Sequence, residues 1–60
     1  MFKIYFSKFN VFSQKFKTFE ELMTDIQNLN LDCIFYKDDQ IIGFSECVNG
    51  RMSMFFLNIS

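Results

Sequence analysis

Ile41-Ile42-Gly43-Phe44-Ser45-Glu46-Cys47-Val48-Asn49-Gly50-Arg51-Met52-Ser53-Met54-Phe55-Phe56-Leu57-Asn58-Ile59 is the stretch from which the fold can be read. Two apolar runs flank Asn49-Gly50, the dipeptide best suited to a two-residue turn whose central residues both take positive φ. The stretch therefore predicts a β-hairpin with its register set by the turn. Val48 faces Arg51, Cys47 faces Met52, Glu46 faces Ser53, Ser45 faces Met54, Phe44 faces Phe55, Gly43 faces Phe56 and Ile42 faces Leu57.

Immediately upstream, Asp32-Cys33-Ile34-Phe35-Tyr36-Lys37 is β-branched and aromatic, and Lys37-Asp38-Asp39-Gln40 reads as a turn whose acids bond nearby amides. With Asp38 and Asp39 at the tip, a second hairpin pairs Tyr36 with Ile41, Phe35 with Ile42, Ile34 with Gly43 and Cys33 with Phe44. Alternate residues of a strand point to opposite sides, so these registers sort the meander into two faces. One carries Cys33, Phe35, Ile42, Phe44, Val48, Phe55, Leu57 and Ile59, interrupted near the tip by Glu46, Arg51 and Ser53. This face is expected to hold a helix. The other carries Ile34, Tyr36, Ile41, Cys47, Met52, Met54 and Phe56, relieved by Gly43, Ser45 and Asn58, and is too apolar for a surface meant to meet water.

The helix is legible between the hairpins and the N-terminus. Thr18-Phe19-Glu20-Glu21 has the pattern of a capping box, and two early acids suit the positive end of the helix dipole. Phe19, Leu22, Met23, Ile26 and Leu29 then recur at helical spacing, predicting an amphipathic helix of about three turns, with Asn30 as its left-handed terminator. Before it, Phe2, Ile4 and Phe6 alternate with Lys3, Tyr5 and Ser7, which predicts a strand over about residues 2 to 8. Residues 9 to 17 are expected either to turn near Asn10 and return as a short second strand or to form an ordered loop with its Phe residues under the sheet. The expected fold is α+β: one helix on a mostly antiparallel sheet of four or five strands, in the order β(β)αβββ, over a single domain of residues 1 to 60.

Sixty residues of which half are hydrophobic and ten are Phe should fold, but so short a chain buries only about 60% of its unfolded surface and is of marginal stability. The longest apolar run, Met54 to Leu57, is far below the roughly 20 residues of a membrane span, so no membrane association and a cytoplasmic location are expected. Net charge is −1, which favours no class of partner. The four bases of residues 1 to 19 nonetheless precede a segment in which seven acids meet only Lys37 and Arg51.

Catalytic chemistry finds few candidates. There is no His, the commonest general base and metal ligand. Gly43 and Gly50 make no phosphate-cradling loop. Cys33 and Cys47 are too few for a structural zinc site, and the expected register puts them on opposite sides of the sheet, leaving two free thiols. The paired acids Glu20-Glu21 and Asp38-Asp39 already have structural reasons at a helix start and a turn. No catalytic residue, metal site or cofactor is expected. Glu46 and Arg51 are placed for a weak ion pair at the hairpin tip.

Because one helix covers one face, the second apolar face needs a cover. Phe9, Phe12 and Phe16 folding over it would supply one, and so would another protein or a second copy of this chain. The expected partner-binding residues are Tyr36, Ile41, Met52, Met54 and Phe56, together with the acidic turn of Asp38 and Asp39. An alternative from a different class is single-stranded nucleic-acid binding through Lys3, Tyr5, Lys8, Lys15 and Lys17, bases interleaved with an aromatic on a sheet that can stack nucleobases.

The stretch Phe16-Lys17-Thr18-Phe19-Glu20-Glu21-Leu22, followed by strand pairs with Asp-rich and Asn-Gly turns, resembles the small accessory proteins of phages and mobile elements from low-GC bacteria. The abundance of Phe, Ile, Asn and Lys is similar. This resemblance implies a non-catalytic protein that binds and inhibits or adapts a larger host enzyme, of the anti-CRISPR or other anti-defence type that plugs a site on a defence nuclease.

Overall fold

The computed structural model describes residues 1–57. Strands β1 (Phe2–Phe6) and β2 (Val11–Phe12) are followed by helix α1 (Phe19–Ile26) and by strands β3 (Cys33–Lys37), β4 (Gln40–Val48) and β5 (Arg51–Phe56). They form one antiparallel five-stranded sheet in the order β2-β1-β3-β4-β5, with the helix packed on one side, as the α+β expectation requires. The expectations that fell on Asn58 and Ile59 lie outside the described residues.

Both hairpin turns follow from residues that tolerate positive φ. Asn49 and Gly50 take φ of 53° and 77°, and Asp38 and Asp39 take 48° and 66°, so each turn twists with its strands rather than splaying them. The β4–β5 register is the expected one from Val48–Arg51 through Gly43–Phe56. Asn10 (φ 54°) reverses the chain after β1, and Phe12 returns beside Tyr5. Pairing then continues irregularly. The Ser13 hydroxyl accepts from the Ile4 amide at 2.8 Å, and Phe2 and Phe16 exchange both backbone hydrogen bonds.

The β3–β4 hairpin departs from expectation. Lys37–Gln40 and Tyr36–Ile41 pair as the turn demands, but Phe35 then faces Gly43, Ile34 faces Phe44 and Cys33 faces Ser45. Ile42 is the extra residue of a β-bulge. Because side chains alternate with a period of two, a slip of one residue exchanges the faces of everything beyond it. The helix side therefore carries Cys33, Phe35, Gly43, Ser45, Cys47, Met52, Met54 and Phe56, while Phe44, Glu46, Val48, Arg51, Ser53 and Phe55 turn to the other side. Cys33 and Cys47 share a side, contrary to the expected opposition, and both are free thiols.

The core explains why the bulge is favourable. Ile4, Phe16, Leu22, Ile26, Cys33 and Phe35 are buried together, and full burial of each large side chain stabilises by roughly 1.5–3 kcal/mol. Two small residues of β4 join them on this side: Gly43 opposite Phe35 and Ser45 opposite Cys33. The unbulged register would instead put Phe44 opposite Cys33. Ser45 is 3% exposed, and its hydroxyl donates to the Leu31 carbonyl at 2.8 Å. A small side chain there lets the 28–32 connection pass close over the sheet. Where β4 outruns β3, the Asp32 carboxylate accepts from the Cys47 amide at 2.7 Å.

Helix α1 opens as expected, with Thr18 Oγ1 accepting from the Glu21 amide at 3.2 Å. It closes earlier. The amides of Asn28 and Leu29 bond three residues back, to Asp25 and Ile26, so the last turn tightens. Asn30 has no positive φ and is not the terminator. The resulting eight-residue helix lies over β1 and buries Leu22 and Ile26. It reaches β5 only at its first residue, where the Phe19 ring meets Phe56 at 5.8 Å.

Candidate functional site

The side of the sheet away from the helix has no covering element among the described residues. From β1 it presents Lys3 and Tyr5, from β2 Phe12, from β3 Ile34 and Tyr36, from β4 Ile41 and Phe44, and from β5 Phe55, placed together by the registers above. Aromatic contacts tie them into two groups. Phe12 stands 4.9 Å from Tyr5 and 5.6 Å from Tyr36, centroid to centroid, while Phe44 stacks on Phe55 at 5.0 Å with 22° between the ring planes. Offset and edge contacts of this kind are each worth about 0.5–1.5 kcal/mol beyond area burial, so the rings are held as a surface. Phe12, Ile41 and Phe55 are still 48%, 43% and 46% exposed.

Between the two groups lies a shallow concavity of about 370 Å³ lined chiefly by Ser7, Asp32, Ile34, Ile41, Phe44 and Glu46. Apolar walls with carboxylates at the rim make a seat for an apolar side chain flanked by a base.

At the β1 end the charges are paired. Lys3 Nζ sits 2.8 Å from Asp39 Oδ1 and 4.5 Å from the Phe12 ring centroid, and the N-terminal ammonium bonds Asp38. The hydrogen bond and charge of that ammonium hold the Asp38 carboxyl below the usual aspartate range, and those of Lys3 do the same for Asp39. Burial pushes the Cys33 thiol up, against the lowering effect of its hydrogen bond with Ser45.

The expected partner-binding set is divided by this geometry. Tyr36 and Ile41 stand on the open face, with Asp38 and Asp39 in the turn beyond them. Met52 and Met54 lie on the helix side, half-buried against the core, and Phe56 lies on that side between Phe35 and Phe19, at 5.8 Å from each ring. The bulge at Ile42 is the cause. Phe44 and Phe55 were missed, and Phe12 was expected only as a cover for this face. For Phe44, and for Phe55 paired with it, the signal was the run of small residues Gly43, Ser45 and Cys47, which marks the side where chain crosses closely and so assigns the large residues of β4 to the other. Phe9, Phe12 and Phe16 also separate: Phe16 is core, Phe12 joins the open face and Phe9 is exposed.

Of the alternative nucleic-acid set, Lys3 and Tyr5 reach the open face. Lys8 lies in the turn after β1, 5.9 Å from the Phe9 ring centroid, and Lys15 and Lys17 lie in the connection before α1. The Glu46–Arg51 ion pair is not formed; the pairs among the described residues are those of Asp38 and Asp39. Among the described residues no group of three or more His, Cys, Asp or Glu is placed to hold a metal ion, and no helix is long and apolar enough to cross a membrane.

Comparison with known proteins adds no relative: no family model, no curated protein and no solved structure matches the chain. What the fold defines is a class, an antiparallel α+β sheet covered by one helix on one side and bare and aromatic on the other.

Proposed function

We propose that this is a non-catalytic protein that binds another, larger protein through the open face of its sheet and thereby inhibits or adapts it. The observation that carries this reading is the bare row of Phe12, Tyr36, Ile41, Phe44 and Phe55, held by ring contacts on a face with no cover among the described residues. Contiguous exposed apolar patches mark interaction sites, and aromatic residues concentrate the energy of such sites. The resemblance to phage accessory proteins makes a host enzyme, a defence nuclease included, the class of partner, and two free thiols suit the reducing cytoplasm.

The test is affinity capture from the native host followed by reconstitution of the purified pair. Phe44→Ser combined with Phe55→Ser is expected to abolish binding while leaving the far-UV circular dichroism unchanged. Retained binding, or unfolding of a Tyr36→Ser variant made to spare the stacked pair, would assign the face to another role.

A second reading, single-stranded nucleic-acid binding, is favoured by the Lys3 ammonium lying over Phe12 and Tyr36, the geometry of a stacking platform with a cation beside it. It ranks second because Asp39 neutralises Lys3. A salt-dependent gel shift lost on Lys3→Glu with Lys8→Glu would promote it.

A further inference from the structure

The two edges of the sheet differ. The β2 edge has two ladder residues, after which its pairing with β1 turns irregular, and a short, irregular strand is a usual way of blunting a sheet edge. The β5 edge runs for six residues, Arg51 to Phe56, has no neighbour among the described residues, and carries neither a proline nor a bulge. Its one charge is at its first residue.

Which backbone groups it leaves free follows from a single bond. The Leu57 amide donates to the Ile42 carbonyl at 2.8 Å, so Ile42–Leu57 and, by alternation, Phe44–Phe55, Glu46–Ser53 and Val48–Arg51 are the hydrogen-bonded pairs of the hairpin. Met52, Met54 and Phe56 must then turn both N–H and C=O outward, away from β4. The side chains of the same three residues lie on the helix side, where α1 reaches only Phe56, through Phe19. Met52 and Met54 are partly buried against the core, and Phe56 is 45% exposed.

We propose that β5 pairs antiparallel with β5 of a second copy of this chain about a two-fold axis at Met54, joining two sheets into one. In that register Met54 exchanges both backbone bonds with the partner's Met54, and Met52 exchanges both with the partner's Phe56, so every outward group of the strand is used. On the helix side, methionine meets methionine across the axis and methionine meets a phenyl ring, contacts that polarisable thioethers make well. On the open side, Ser53 faces the partner's Phe55, which leaves room for the ring. Arg51 lies diagonally beside the partner's Phe55, where a cation–π contact can form. The two Arg51 side chains are kept some 20 Å apart by six residues of strand at about 3.4 Å each, so no like charge opposes pairing. A second copy is favoured over a foreign strand because the free backbone groups, the partly exposed side chains and the single charge are complementary to themselves under one two-fold operation. This inference is independent of what the open face binds.

Amide exchange on the native protein tests it without any substitution. In the dimer the amides of Met52, Met54 and Phe56 are slowed by about 100-fold or more relative to an open chain, and that protection is lost on dilution in step with the change from dimer to monomer in sedimentation equilibrium. A chemically synthesised chain with an N-methyl group on Met54, which removes the outward donor and keeps the side chain, sediments as a folded monomer. Fast exchange of these three amides at every concentration, or a native chain that stays monomeric into the millimolar range, overturns the proposal. So does a dimer that survives N-methylation of Met54 in folded protein; should that variant not fold, the exchange measurement decides alone.

Discussion

The Phe56 ring closes over Gly43: a Cβ built on this glycine would come within 2.9 Å of Phe56 Cδ1 and 2.5 Å of the Phe55 carbonyl oxygen. The glycine is needed for its lack of volume, since β5 approaches β4 too closely there for a side chain on the helix side. The second clash is with backbone, which cannot rotate away. Gly43→Ala should therefore destabilise by about 1–3 kcal/mol, the usual cost of overpacking, and move the urea midpoint down without changing the slope. A neutral or stabilising alanine would show that the strands separate at little cost.

Leu22 and Ile26 are the two side chains of α1 that are fully buried, and they attach the helix to the sheet. Leu22→Ala is expected to cost about 2–5 kcal/mol. In a chain of this size that approaches the whole stability, so the variant should be largely unfolded by circular dichroism at 37 °C. Thr18→Ala, which removes only the cap bond to Glu21, should cost about 1 kcal/mol and leave the protein folded.

Asp38 and Asp39 are both held below the ordinary aspartate range, by the N-terminal ammonium and by Lys3 respectively. A carboxyl depressed in the folded state contributes stability that is present above its unfolded value of about 3.9 and is lost as pH falls through the folded one. Stability from these pairs should be flat above about pH 5 and decline below about pH 4. Both carboxylates are exposed, so the effect is modest and screened by salt. Asp39→Asn should flatten the acid limb, and acetylation of the N-terminus should remove the contribution of Asp38. An acid limb untouched by both changes would place the sensitive group elsewhere.

The two thiols should be chemically distinct. Cys33 is 2% exposed and burial raises its pKa, whereas Cys47 is half-exposed near the hairpin tip. Thiolate-selective reagents require both access and ionisation. Cys47 is expected to react with a disulfide reagent rapidly in native protein, and Cys33 about 100-fold or more slowly, through opening of the core. Comparable rates would mean that the loop at residues 28–32 opens freely over Ser45.

Much of the architecture was legible because it is specified by neighbours along the chain. Asn49-Gly50 and Asp38-Asp39 tolerate the positive φ a tight reversal demands, Thr18 caps the helix three residues ahead of Glu21, and alternation of Phe2, Ile4 and Phe6 marks the first strand. The candidate site was legible only in part. Tyr36 and Ile41 precede the bulge in pairing order and kept their expected face; Phe44, Met52, Met54, Phe55 and Phe56 follow it and did not. The local pattern weighed the large residues of β4 as core, and nothing adjacent in sequence distinguishes a large residue covered by a helix from one left bare.

Turns, strand identities, helix start and the existence of surplus apolar surface were thus settled by local chemistry, where the interacting groups are a few residues apart. Which side of the sheet the helix covers was settled by packing at a distance. The 28–32 connection needs the small side chain of Ser45 beneath it, and the approach of β5 leaves no volume at Gly43, so Ile42 is displaced into a bulge and the faces of two strands are exchanged. That choice depends on volumes brought together by the whole fold, and it decides which aromatic rings meet solvent.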